Sequence, residues 1–168
     1  MRTVYLLAVW LHILAVVVWL GGMAFLVLVF VPILRKPEYR TQAPALFHLL
    51  GTRFRPVGWA CLITLLVTGT IQLGYRGHGW EDLWTGRLFA GPLGHALALK
   101  LAVVGAILVL STVHDFVVGP RATKAFLAGT PPEAREQLRR QASRLGRTTF
   151  VLALVATALG VVLVRGLP

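Results

Sequence analysis

The chain has 168 residues, 57% of them hydrophobic and 14% charged, whereas a soluble domain carries roughly 45–50% apolar residues. A soluble enzyme domain is excluded on that ground. The formal net charge of +11 would suggest nucleic acid in a soluble protein, but here the basic residues flank long apolar runs, so anionic lipid and membrane topology account for them and nucleic acid is not expected as a partner.

From Thr3 to Leu34 there is no Asp, Glu, Lys or Arg. These 32 residues would make a helix of about 48 Å. That exceeds a hydrocarbon core of roughly 30 Å, so the span, residues 3–34, tilts or projects. The run is too long for a signal peptide and lacks a small-residue cleavage site. Tyr5, His12, Trp19 and Met23 fall on one face at spacings of seven and four. Ala8 and Ala15 leave room beside the histidine.

Residues 43–54, between the first two spans, predict a short amphipathic helix lying at the cytoplasmic interface. The second span covers residues 56–75 and carries a polar stripe of Thr64, Thr68 and Gln72, with Cys61 beside it. The third covers residues 92–118, with His95 near its start and Lys100 inside it. Ser111 and His114 fall on the Lys100 face, 11 and 14 residues further on. Thr130-Pro131-Pro132-Glu133 predicts a helix start capped by Thr130, so residues 131–146 form a basic amphipathic cytoplasmic segment. The fourth span, residues 148–166, is near the short limit, and Arg165 can snorkel outward.

The charges orient these spans. Arg35, Lys36, Arg40, Arg53 and Arg55 lie between the first pair, and Arg121, Lys124, Arg135, Arg139, Arg140, Arg144 and Arg147 between the last pair. That is 12 basic residues on one side, against four (Arg2, Arg76, Arg87, Arg165) on the other. The side with 12 is cytoplasmic by the positive-inside rule. The expected architecture is an all-α, single-domain, integral membrane four-helix bundle with both termini outside. The expected location is the cytoplasmic (inner) membrane, with the lipid bilayer as its solvent.

Polar groups inside hydrocarbon are costly and mark sites. His12 and Lys100 lie about 13 and 12 Å along helices that run the same way. They therefore share a depth in the outer half. Paired histidines on facing helices are how a membrane bundle holds haem b. His12 with His95 on the outer side, and His48 with His114 on the inner side, are the pairings that respect depth. Copper is the alternative cofactor, but soft ligands are few: Met1, Met23 and Cys61. An all-histidine copper site remains open, with His78 and the Trp80-Glu81-Asp82 turn at its outer entrance. No HExxH, GxSxG, phosphate-loop or CxxC motif supports hydrolysis or nucleotide chemistry. Cys61 is the only cysteine, reads as a small core residue and excludes an internal disulfide.

Three segments resemble the copper resistance protein D family. WLHILAVVVWLGGMAFLVLVFVPIL resembles its first helix, RFRPVGWACLITLLVTGTIQL its second and GPLGHALALKLAVVGAILVLS its third. That family is similar to the HemJ-type protoporphyrinogen oxidases, small four-helix membrane proteins that bind haem. In those a first-helix His and a third-helix Lys matter, and His12 and Lys100 match these positions. The resemblance implies a haem b or metal site in the bundle, serving a haem-dependent membrane oxidoreductase. A quinone or another electron-transfer partner, and a homo-oligomer, are compatible with it. Copper transport or resistance through a His-based site, and a non-catalytic assembly subunit, are the alternatives.

Overall fold

A computed structural model describes residues 2–39 and 41–165 of the chain. Among these the chain is all helix and turn, with no strand. Four long helices dominate: α1 (Arg2–Leu34), α2 (Ala43–Tyr75), α3 (Gly91–Ala125) and α4 (Pro132–Arg165). With 33 to 35 residues each, they are about 50 Å long, more than a bilayer core requires. Each is apolar enough over 18 residues to cross a membrane. The chain is a multi-pass membrane protein.

α1 lies antiparallel against α2, α3 against α4, and α1 also touches α4. The α1–α2 seam follows the predicted face of α1. Tyr5 meets Tyr75, His12 meets Thr68, Trp19 lies over Gly58, Gly22 receives the Phe54 ring, and Phe30 meets Phe47. Gly22 has no room for a side chain, because an added Cβ would run into that ring. All four helices meet in one apolar layer of Ala15, Trp19, Cys61, Leu62, Val103, Ile107 and Ala153.

Unlike in a soluble protein, many large apolar side chains face outward. Alanines, Thr68, Ser111 and Thr149 are buried, while Leu7, Trp10, Leu14, Val17, Leu28, Val109 and Val151 are exposed. In hydrocarbon there is no hydrophobic drive to hide leucine, so small residues pack helices closely and polar groups turn inward. Hydroxyls within the spans bond back to the helix: Thr64 to the Ala60 carbonyl (2.8 Å), Thr112 to Leu108 (2.8 Å) and Thr157 to Ala153 (2.8 Å).

Two wide π turns interrupt the helices, at Leu26–Phe30 in α1 and Val113–Val118 in α3. Each ends two residues before a proline, Pro32 and Pro120. A proline ring collides with the carbonyl four residues back and supplies no N–H, and a wider turn relieves the collision without ending the helix. The period-3.6 reading of the sequence does not see these turns.

One segment and one helix cap differ from expectation. Residues 43–54 are not a separate interfacial helix but the first third of α2, which runs through Pro56. The basic segment, by contrast, runs on into the fourth span as α4, starting at Pro132, a continuity the sequence allows. Thr130 makes no capping bond; the first turn closes instead from the Arg135 N–H to the Pro131 carbonyl (3.2 Å). In both helices the backbone gains a hydrogen bond per added residue once the helix is nucleated, so it extends into the interface instead of stopping at the first arginine.

The cytoplasmic part of α4 is braced by Glu136, which accepts from Arg139 (2.6 and 2.8 Å) and Arg140 (2.8 Å). These guanidinium hydrogen bonds hold the Glu136 carboxyl down at about 2. The bracing is therefore complete at neutral pH and is lost as pH falls through about 2. In an NMR titration Glu136 should titrate near that value, and Arg139→Gln with Arg140→Gln should bring it back toward the ordinary glutamate range. For orientation, Gly129→Cys in a Cys61→Ser chain should react with an impermeant maleimide only from the cytoplasmic side. Gly79→Cys should react only from the outer side.

Candidate functional site

The outer half of the bundle holds a polar layer built from all four helices. Its first element is a hydrogen bond between His12 Nδ1 on α1 and Thr68 Oγ1 on α2, at 2.7 Å. Thr68 is buried, and its hydroxyl lies 2.6 Å from the Thr64 carbonyl. A carbonyl accepts only, so the single hydroxyl proton goes there. Thr68 Oγ1 is left as an acceptor, and His12 Nδ1 must carry a proton. In the neutral ring the lone pair is then on Nε2, the nitrogen that makes no bond to the protein. Gly69, next to Thr68, presents no side chain to the His12 ring; a Cβ there would sit 3.7 Å from His12 Cε1.

The second element is a cationic stripe. Thr68, Gln72 and Arg76 follow one another at four-residue steps up α2, on one face. Gln72 Nε2 is buried and has no hydrogen-bond partner. Arg76 donates through one nitrogen to the Leu163 carbonyl of α4, at 3.2 Å. Lys100 of α3 brings its ammonium to Gly160, one turn below Leu163, where an added Cβ would lie 3.2 Å from Nζ. Lys100 lies within Coulombic range of both His12 and Arg76. No hydrogen bond joins His12 and Lys100 among the described residues; His12 is tied to α2 and Lys100 reaches α4.

A second polar cluster lies toward the cytoplasmic end, on the π turn of α3. Asp115 accepts from Trp59 Nε1 of α2 (2.9 Å) through one oxygen and from His114 Nδ1 (2.8 Å) through the other. The Trp59 and Phe116 rings are 5.7 Å apart, and the Arg55 guanidinium lies over Phe116 at 5.8 Å. Asp115 is the only carboxylate within the four spans read from the sequence, a signal that reading did not use. Arg76 was read as a loop residue, and its reach back to α4 depends on how the helices are arranged.

The remaining histidines are spread out. His95 is exposed on α3 and makes no hydrogen bond. Its five-residue offset from Lys100 puts it about 140° around the helix. His48 bonds Thr123 (3.0 Å) rather than approaching His114, and His78 is exposed in the outer loop. Met23 and Cys61 belong to the apolar layer, apart from His12. Among the described residues no three His, Cys, Asp or Glu side chains gather where they could hold a metal ion. An apolar groove of about 240 Å³, lined by Gly22, Phe25, Leu26, Leu50, Phe54 and Val57 with Arg53, lies in the cytoplasmic half.

The Thr68 hydroxyl should therefore be the part of the site most sensitive to a single change. Thr68→Val leaves the His12 N–H without an acceptor and should cost about 1–3 kcal/mol. Thermal unfolding in detergent measures that loss. Nitrogen-15 NMR of His12 should show the Nδ1–H tautomer in the parent chain and a mixture in Thr68→Val. Thr68→Ser should keep both properties.

Known proteins place this architecture. The family model described as copper resistance protein D matches residues 48–163, which takes in most of α2, all of α3 and nearly all of α4. An uncharacterized protein of Aquifex aeolicus (strain VF5) is 30% identical over 157 residues, covering 92% of each chain. No solved structure matches. The chain, a four-helix membrane protein with its polar layers turned inward, belongs to the copper resistance protein D family.

Proposed function

We propose that the protein holds a haem b in the outer half of its bundle, where His12 Nε2 would hold the iron, and that the group would serve redox chemistry in the cytoplasmic membrane. The observation that carries the proposal is the Thr68 bond, which leaves Nε2 as the lone-pair nitrogen of a fixed ring. A metal-ligating histidine characteristically has its other nitrogen tied down in this way. The donor set fits haem better than a bare ion. A porphyrin supplies four nitrogens of its own and asks the protein for one or two axial groups, whereas a copper ion needs several protein ligands. Here one imidazole stands alone, with no cluster of His, Cys, Asp or Glu beside it among the described residues.

Each neighbouring group then has a task. Thr68 orients the imidazole, and Gly69 leaves space beside it. The apolar layer of Ala15, Trp19, Leu62, Val103 and Ile107 keeps water from the cytoplasmic side away from the site. When bound, haem supplies one-electron transfer, for which a quinone is a chemically suitable membrane partner. His95 and His114 are the other candidate ligands, and their exposure and partners favour them less than His12.

Copper transport or resistance is the second reading, and the family's description favours it. The apolar layer counts against free passage, since an ion leaving His12 would meet Trp19, Leu62 and Ile107 before reaching Asp115. The test is the visible spectrum of protein purified after expression with haem supplied. The proposal expects a Soret band that His12→Ala reduces at least tenfold and His95→Ala leaves in place. Absence of the band, with stoichiometric copper lost in His12→Ala, would favour the copper reading.

A further inference from the structure

The donors above His12 remain unexplained by an axial ligand. Lys100 carries up to three N–H donors, yet it makes no hydrogen bond among the described residues. Gln72 Nε2 is buried without an acceptor. Arg76 spends one nitrogen on the Leu163 carbonyl. No carboxylate in the described spans shares this depth, because Asp115 is at the other end of α3. An uncompensated ammonium in hydrocarbon costs several kcal/mol, and an amide N–H without an acceptor adds to it. Lys100 and Arg76 converge on one turn of α4, where Gly160 leaves the Lys100 ammonium unobstructed and Leu163 anchors Arg76, and Gln72 lies one turn below Arg76 on the same face of α2. A surface patch of arginines would be neutralised by water and salt. Arg76 is exposed at the outer end of α2, but Lys100 and Gln72 lie partly inside the bundle, where a ligand can supply the counter-charge that water and salt reach less well.

We infer that Gln72, Arg76 and Lys100 form a pocket for the carboxylate of a lipophilic acid. Two cations and an amide N–H offer the charge and the donors that a carboxylate's two oxygens accept. The body of such a ligand rests among apolar side chains. A porphyrin propionate and a long-chain fatty acid both present this chemistry. The inference concerns the same outer-half site as the haem proposal and rests on that reading for its location, but it does not depend on iron.

The test uses the full chain in a neutral detergent and probes that lack iron. Protoporphyrin IX is titrated by absorbance against its dimethyl ester. Palmitate labelled with carbon-13 at the carboxyl is followed by NMR against the corresponding alcohol in competition. The expected result is that at least one acid binds, that removing its charge weakens binding tenfold or more, and that Lys100→Met does the same. Lys100→Arg should retain most of the affinity. Should Lys100→Met not fold, as judged by circular dichroism, Gln72→Leu and the ester comparison on the parent chain carry the test. Binding of the porphyrin acid alone identifies a propionate site, binding of palmitate alone a fatty-acid site, and binding of both a carboxylate site indifferent to the tail. If neither acid binds, or each binds no better than its uncharged counterpart, the inference is overturned. Iron-free probes need no axial ligand. A missing Soret band with carboxylate binding intact would sink only the haem proposal, and the converse would sink only this one.

Discussion

The rule that a buried polar group must find its partner inside the protein governs this structure more than any packing preference. Water in a soluble fold forgives an unpaired hydroxyl at the surface; hydrocarbon does not. Thr64, Thr112 and Thr157 bond their own helix, and Thr68 uses its proton that way. That commitment makes Thr68 Oγ1 an acceptor, and the acceptor sets which nitrogen of His12 holds a proton. A backbone requirement four residues away thus decides the chemistry of the imidazole.

The same rule divides the bundle into layers. His12, Thr68, Gln72, Arg76 and Lys100 make an outer polar layer; Trp59, His114 and Asp115 make a cytoplasmic one. Between them the apolar layer centred on Trp19, Cys61 and Ile107 joins all four helices. Such a plug suits a resident cofactor and a charge-bearing ligand better than an ion path. The long basic extension of α4 keeps positive charge on the cytoplasmic side, where Glu136 braces two of its arginines.

Much of this was legible in the residues. Charge-free runs located the spans, because an unpaired charge in lipid is expensive. The seven-residue spacing of Tyr5, His12 and Trp19 located the α1 face that meets α2. Equal depth put His12 and Lys100 in the same half of the bundle. Other features were hidden for identifiable reasons. The π turn before Pro120 breaks the 3.6-residue period at His114, whereas Lys100 and Ser111 both lie in the regular helix ahead of it. His114 turns to Asp115 instead. Helix continuity through Arg53, Arg55 and Pro56 was masked because arginine and proline look like a boundary, whereas Arg55 lies over Phe116 within the fold. The pairing of His12 with His95 looked reasonable by depth, but depth says nothing of rotation about the helix axis. The convergence of Arg76 and Lys100 on Gly160 and Leu163 is a property of the assembled bundle that no single segment carries.

The central claim is that His12 faces the interior polar layer and not the lipid. A nuclear Overhauser measurement on protein in nanodiscs, with the histidine ring, threonine methyl and glycine positions labelled, tests it most directly. The structure predicts cross-peaks from the His12 ring to the Thr68 methyl group and the Gly69 α-protons. Cross-peaks from that ring to lipid acyl chains alone would contradict the account.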